Sequence, residues 1–272
     1  MAINVLGGNG FVGGRFCELT SDVIKNERND YAVKTNDVLY FISTIHNYNV
    51  FTDPYLDIDT NLITLIETLE FCKGKDVTFN FISSWFVYGD VELPAKEDAR
   101  CDPKGFYSIT KRAAEQLLIS YCETFGLKYR ILRLGNVLGK QDTKVSAQKN
   151  ALQFLINELK EGNPIKLYDA GLVYRDYIYV DDAVAAIKLV IEKGEVNEIY
   201  NIGNGQKTYL ANAIDYARGK CNSTSSIEFI EAVDFHKKVQ TKDMVLDISK
   251  IKKLGYTQQY QMSEIIDKLL ED

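Results

Sequence analysis

Residues 3–14 read Ile-Asn-Val-Leu-Gly-Gly-Asn-Gly-Phe-Val-Gly-Gly, an apolar strand-like start that runs at once into a glycine-rich turn. Gly7, Gly10 and Gly13 fall in the spacing GxxGxxG, and the residues after them suit the opening of a helix. Glycines there permit a tight turn and let the loop of Asn9, Phe11 and Val12 bring its backbone N–H groups to a pyrophosphate at the positive end of that helix. A turn that merely packs strand against helix is the other reading. The strand–turn–helix order favours a dinucleotide site.

Outward from this stretch, short apolar runs alternate with helical patterns to about residue 135, the signature of βαβ units in a parallel sheet. Strands are expected at Ile3 to Leu6, Val23 to Asn26, Val38 to Ser43, Thr78 to Ser83 and Tyr129 to Leu134. Apolar spacing places helices over Asp59 to Phe71 and Thr110 to Phe125. Later come a helix at Ala151 to Leu159, a strand at Ile165 to Tyr168, a helix at Val180 to Ile191 and a strand at Glu198 to Ile202. The expected fold is α/β, a Rossmann-like doubly wound parallel sheet with a smaller carboxy-terminal substrate lobe. The division falls at residues 1–140 and 141–272, with 176–202 returning to the sheet.

The 272 residues suffice for one large domain or two unequal lobes. A 46% hydrophobic and 26% charged composition excludes disordered and low-complexity classes. With 32 Lys and Arg against 38 acidic residues, the net charge of -6 speaks against a nucleic-acid or anionic-membrane binder, so an anionic ligand needs a local cationic cluster. The five Cys are scattered without a CxxC pair, which indicates neither a disulfide framework nor a zinc site. Two His, His46 and His236, lie far apart without metal-ligand spacing, so no metal is expected. No apolar run has bilayer length and no secretory signal opens the chain, and a cytoplasmic location is expected.

Two further stretches carry chemistry. In Phe106-Tyr107-Ser108-Ile109-Thr110-Lys111, Tyr107 and Lys111 are four apart and share one face if helical. An ammonium at about 4 Å contributes roughly 4 kcal/mol at an effective dielectric near 20, about three pKa units toward a phenolate before desolvation opposes it. In Phe81-Ile82-Ser83-Ser84-Trp85-Phe86-Val87-Tyr88-Gly89 a buried strand runs into a loop, where open α/β sheets gather their active sites, and Ser84 is a candidate proton carrier.

GGNGFVG, SSWFVYG and YSITK, in this order and at these separations, resemble the extended short-chain dehydrogenase/reductase family in its nucleotide-sugar epimerase/dehydratase branch. DTNLITLIETLEF, LRLGNVLG (132–139), YRDYIYVDDA (174–183) and VLDISKIKKLG (245–255) extend the similarity over nearly the whole chain. The resemblance implies Ser84, Tyr107 and Lys111 as catalytic residues. It implies Asn136, Asn150 and Arg175, with Ser84 and Trp85, as contacts to a nucleotide-diphosphate sugar, and Ser43, Tyr107 and Lys111 as cofactor contacts beside the glycine loop. The bland alternatives are a turn cap for Asn136, a helix cap for Asn150, and an ion pair of Arg175 with Asp181 or Asp182. Lys237, Lys238 and Lys242 either meet the nucleotide or form a solvated face.

Departures from the family pattern matter as much. Little room remains for the usual third strand. After the second strand, Lys25-Asn26-Glu27-Arg28 offers Glu27 for the ribose hydroxyls of NAD or Arg28 for the phosphate of NADP, and two cations flanking one acid favour NADP. Trp85 and Phe86 stand where 4,6-dehydratases carry an Asp and a Glu, which disfavours dehydration. The resemblance thus implies hydride transfer at a sugar carbon, by epimerisation or keto reduction. A noncatalytic dinucleotide-binding sensor or scaffold is the alternative. Apolar residues on more than one face of Asn61 to Phe71 and Lys111 to Phe125 suggest a homodimer.

Overall fold

The first strand, β1 (Ile3–Leu6), is buried along its whole length, as a strand covered on both faces must be. The computed structural model to which it belongs describes residues 2–240 and 242–271. From β1 the chain runs through α1 (Phe11–Leu19), β2 (Val23–Lys25), β3 (Asp37–Tyr40) and a 3-10 turn at Asn47–Phe51. It continues as α2 (Tyr55–Ile58), a π turn at Asp59–Ile63 and α3 (Thr64–Cys72), then β4 (Thr78–Ser84), α4 (Phe106–Phe125) and β5 (Lys128–Leu134). The second half contributes β6 (Asn136–Leu138), α5 (Ala151–Glu161), β7 (Ile165–Tyr168), β8 (Tyr174–Arg175), β9 (Tyr177–Tyr179), α6 (Val180–Lys193) and β10 (Glu198–Ile202). Last come β11 (Thr208–Tyr209), α7 (Leu210–Lys220), β12 (Ile227–Ile230), α8 (Asp234–Val239), α9 (Ser249–Lys253) and α10 (Met262–Leu270).

Six strands form one parallel sheet in the order β10-β5-β4-β3-β1-β2, the doubly wound Rossmann-like arrangement. Successive residues alternate between its faces. Val5 and Leu39 join the cluster shared with the second half of the chain, while Leu6, Val38 and Tyr40 join the one under α3 and α4. Among the described residues no further strand lies beyond β2, as the short interval before β3 requires. Smaller pairs, β6 with β9, β7 with β12 and β8 with β11, build the rest.

The boundaries differ from the sequence expectation where distant residues intervene. α4 starts at Phe106 rather than Thr110 because Asn47, from the 3-10 turn, caps it: its Oδ1 accepts from the Ser108 N–H and Oγ–H, each at 3.2 Å. Gly105 takes φ +88°, and a Cβ there would sit 2.4 Å from that same Asn47 oxygen. The expected helix over 59–71 is part of a longer helical run from Tyr55 to Cys72, whose register widens into the π turn at Asp59–Ile63 that carries Asn61. β2 stops at Lys25, since Asn26 turns inward, accepting from Asn4 Nδ2 (2.8 Å) and donating to the Ala32 carbonyl (2.8 Å).

Two buried polar groups tie the elements behind the site. Glu115 on α4 is fully buried and accepts from Arg133 Nε and Nη2 (3.0 and 2.8 Å), Arg112 Nη1 (2.7 Å) and Ser83 Oγ (2.6 Å). Asp176, also fully buried, accepts from the backbone N–H groups of Asn204, Gly205 and Leu246 and so clamps three loops together.

Candidate active site

The carboxyl ends of β1, β3, β4 and β5 open into a cleft of about 430 Å³, where an open α/β sheet places its ligand. Its walls include Gly7, Gly10, Phe11, Val12 and Gly13 of the glycine loop, Ser43 after β3, and Ser84, Trp85, Tyr107 and Lys111. Asn136, Asn150 and Arg175 reach it from the second half of the chain. At Gly13 a Cβ would lie 2.5 Å from the Gly7 carbonyl oxygen, so only glycine lets α1 approach the loop this closely. The backbone at the head of α1 is therefore open to a phosphate.

Ser84 ends β4 and caps the 3-10 turn Trp85–Val87, its Oγ accepting from the Phe86 N–H at 3.3 Å. Tyr107 lies in the first turn of α4 and Lys111 in the next. The Lys111 ammonium is held by the backbone and an aromatic ring of β4. Lys111 is buried, its Nζ donates to the Ile82 carbonyl at 2.7 Å, and it lies 4.1 Å from the centre of the Phe81 ring. Burial lowers it to about 7, with Glu115 opposing. Tyr107 moves up rather than down: burial disfavours its phenolate and the charge of Asp57 adds to this, while Ser84 and Ser43 oppose it when they donate.

Trp85 stacks on Phe86, ring centres 3.9 Å apart, and on its other neighbour the Arg175 guanidinium lies 4.7 Å from the indole. Arg175 Nη2 donates to the Gln240 carbonyl, and Nη1 is buried with no partner among the described residues. Burial lowers this guanidinium to about 10. The alternative ion pairs are taken elsewhere: Asp181 accepts from Arg15 and Asp182 from the backbone of Gln259 and Tyr260. Asn136 donates to the Asp176 carbonyl (3.0 Å), and Asn150 donates to Asp142 Oδ2 (2.8 Å) and makes no side-chain cap of α5.

Other expected contacts stand apart from the cleft. Glu27 and Arg28 are exposed, lie in the loop after β2 and do not line it. The strand ends at Lys25, one residue before the expected Asn26, and Lys25, which does not line the cleft either, reaches the glycine loop with its Nζ donating to Asn9 Oδ1 at 2.9 Å. Lys237 pairs with Glu231 and Lys242 with Asp90, and neither they nor Lys238 line the cleft.

Sequence reasoning missed the rim. His46, Tyr48, Tyr168 and His236 all line the cleft, and Tyr48 Oη lies 2.7 Å from His236 Nε2, across 188 positions of sequence. No local signal announces such a pair. It also missed a simpler property: among the described residues that line the cleft there is no Asp or Glu, although the chain is acidic overall. Arg175, Lys111 and Lys149 supply the positive side, Lys149 being paired with Asp142. Open amides, an orphan guanidinium nitrogen and no carboxylate fit a dinucleotide together with a second anionic ligand.

Residues 20–203 match the NAD dependent epimerase/dehydratase family, a segment that contains Ser84, Tyr107, Lys111 and Arg175. The chain belongs to that family. Among relatives of this epimerase/dehydratase chain, a trifunctional UDP-glucose 4,6-dehydratase/UDP-4-keto-6-deoxy-D-glucose 3,5-epimerase/UDP-4-keto-L-rhamnose-reductase of Arabidopsis thaliana is 26% identical over 96% of the chain. The chain spans 40% of that relative's length. A putative UDP-glucose 4-epimerase of Methanocaldococcus jannaschii is 28% identical over 86% of the chain and 75% of its own length. The fold matches a crystal structure of UDP-glucose 4-epimerase with UDP-glucose from Thermotoga maritima, TM-score 0.88 at 24% identity, over 99% of this chain and 97% of that one. It also matches a Pseudomonas aeruginosa protein complexed with NADPH, TM-score 0.84 at 19% identity, over 99% and 98%. Among the described residues no helix is long and apolar enough to cross a membrane.

Proposed function

We propose that this epimerase/dehydratase-family chain is an NAD(P)-dependent oxidoreductase that acts at a sugar carbon, C4, of a nucleoside-diphosphate sugar, as an epimerase or a keto-sugar reductase. The observation that carries the reading is the carboxylate-free cleft in which Tyr107, Ser84 and Lys111 stand between an open glycine loop and the orphan Nη1 of Arg175. Dehydration needs acid and base groups beside Ser84, and Trp85 and Phe86 occupy those places. In this reading residues 1–140 hold the dinucleotide and 141–272 chiefly the substrate.

Bound at the glycine loop and Lys111, a nicotinamide supplies the hydride acceptor or donor. Tyr107 carries the proton to or from the sugar oxygen, and Ser84 hydrogen-bonds that oxygen. Arg175 Nη1 takes the substrate diphosphate, with Asn136 and Asn150 as further contacts. Trp85 and Phe86 keep water from the reacting carbon. Incubation with UDP-glucose alone and with a nucleotide-linked 4-keto sugar plus NADPH tests the reading: turnover of either supports it, and turnover of neither by folded protein overturns it.

The same reading takes NADP over NAD, with Lys25 as the phosphate partner in place of Arg28. The Asn9 contact brings Lys25 to the loop, and its ammonium favours a 2′-phosphate by roughly 1.5 to 3 kcal/mol, about ten- to hundredfold. Lys25→Ala is expected to weaken NADPH by that factor and leave NADH unchanged, whereas Arg28→Ala changes neither. Direct titration of each variant with both dinucleotides measures this.

A homodimer completes the proposal. Ile63, Ile66, Phe71, Ile109, Leu117 and Phe125 are all exposed on neighbouring helices, an apolar surface that a twofold partner would cover. Sedimentation is expected to show twice the 30.9 kDa chain mass, and Ile66→Lys with Leu117→Lys to halve it. A single wild-type species at 30.9 kDa at micromolar concentration defeats the dimer.

A further inference from the structure

The two side chains that follow Ser84 touch every group that grips the sugar. The Phe86 backbone N–H donates to Ser84 Oγ at 3.3 Å, and the Phe86 ring stands edge-on to the Tyr107 ring, centres 6.0 Å apart. The same ring stacks on Trp85 at 3.9 Å, and both side chains line the cleft. Trp85 is buried, and the Arg175 guanidinium lies 4.7 Å from its ring centre. Tyr107, Phe86, Trp85 and Arg175 therefore form one unbroken line of contacts, from the group that moves the proton to the group with the orphan nitrogen.

A nucleotide sugar has to span that line. With its C4 oxygen between Ser84 and Tyr107 and its C1 phosphate at Arg175 Nη1, the pyranose lies along the aromatic pair and turns one edge to it. Across C2 and C3 that edge carries two hydroxyls. Across C5 it carries the ring oxygen and the exocyclic carbon, and it is the less polar of the two. The Phe86 side chain has no hydrogen-bonding atom, and no carboxylate lines the cleft among the described residues. The C5 edge therefore faces the rings, and the exocyclic carbon, one bond from the carbon next to which the hydride arrives, meets Phe86. A hydroxyl on that carbon gives up water there without gaining a partner, whereas a methyl group gains by leaving water.

We propose that Phe86, backed by Trp85, is a specificity-determining residue that selects nucleotide sugars deoxygenated at C6, whose exocyclic carbon is a methyl group. This rests on the oxidoreductase reading and narrows its substrate. Selection by an apolar wall is limited, because a surface without polar groups rejects an added hydroxyl by only about a hundredfold. The expected preference for the methyl sugar is accordingly about ten- to hundredfold in kcat/KM.

The test compares UDP-4-keto-6-deoxyglucose with UDP-4-ketoglucose, each reduced at C4 by NADPH or NADH and followed by loss of the reduced dinucleotide. A 4-keto sugar is the substrate of a reductase and the intermediate of an epimerase, so one pair serves both. The two sugars differ by a single oxygen, and the ratio of their kcat/KM values cancels whatever the base contributes. Phe86→Ser offers the exocyclic hydroxyl a partner and is expected to bring the ratio close to one, while Phe86→Leu, still apolar, keeps it. A general packing defect slows both sugars alike and leaves the ratio where it was. If Phe86→Ser does not fold, Phe86→Tyr, which keeps the ring and adds one hydroxyl, takes its place. A wild-type ratio below about ten, or a ratio unchanged in the folded Ser or Tyr variant, overturns the proposal. Turnover of neither sugar by folded protein is a different failure, of the oxidoreductase reading itself.

Discussion

Tyr107→Phe is expected to lower kcat about a thousandfold while leaving KM and dinucleotide affinity nearly unchanged. Positioned proton transfer contributes roughly 10²–10⁴ in rate, and the substitution deletes only the oxygen that carries the proton. The ring itself stays buried against Phe86, its edge-on neighbour at 6.0 Å between centres, so the cleft keeps its shape. The assay is steady-state reduction of a nucleotide-linked keto sugar by NADPH, with binding of NADPH measured separately. Wild-type turnover in the variant removes Tyr107 from the mechanism and leaves a sensor or scaffold with a dinucleotide site.

The other large effect is on stability. Glu115→Leu strands the Arg133 guanidinium, 1% exposed at its side chain, and unpairs Arg112 and Ser83. Breaking a buried ion pair from one side costs about 3–5 kcal/mol, because the remaining charge stays desolvated. For a chain of this size that corresponds to a fall in Tm of roughly 10 °C. Glu115→Leu combined with Arg133→Met is expected to recover most of the loss, since no buried charge is then left alone. Thermal unfolding of both variants checks this; equal losses in the single and double variants contradict it.

Both effects arise from α4 and the strands it covers, β4 and β5, where local sequence is informative to different degrees. The glycine loop and the apolar strands were legible because close backbone approach and burial on both faces dictate residue type position by position. YSITK was legible as a spacing, and its helix was not, because Asn47 caps α4 from 61 residues away. The surroundings of the pair are not legible for a related reason. A four-residue spacing fixes a shared helix face but not what lies opposite, and Lys111 donates to the Ile82 carbonyl. Arg175 shows the converse. Its residue type suggested a phosphate ligand, and only the tertiary structure reveals that Asp181 and Asp182 are engaged elsewhere. The loop after β2 was misplaced because Asn26 faces inward to Asn4, a contact across 22 positions that no periodicity records.

The sheet edge at β2 has a consequence for solubility. A sheet that stops at β2 exposes a row of backbone donors and acceptors to any passing chain, and open edges of this kind seed aggregation. The protein blunts this one by brevity and charge. The strand is three residues long, Asp22 enters it in a left-handed conformation at φ 57°, and Lys25 closes it with a cation that a foreign strand would have to desolvate. The residue proposed to choose the cofactor thus also guards the edge, so substitutions at Lys25 trade nucleotide preference against colloidal stability.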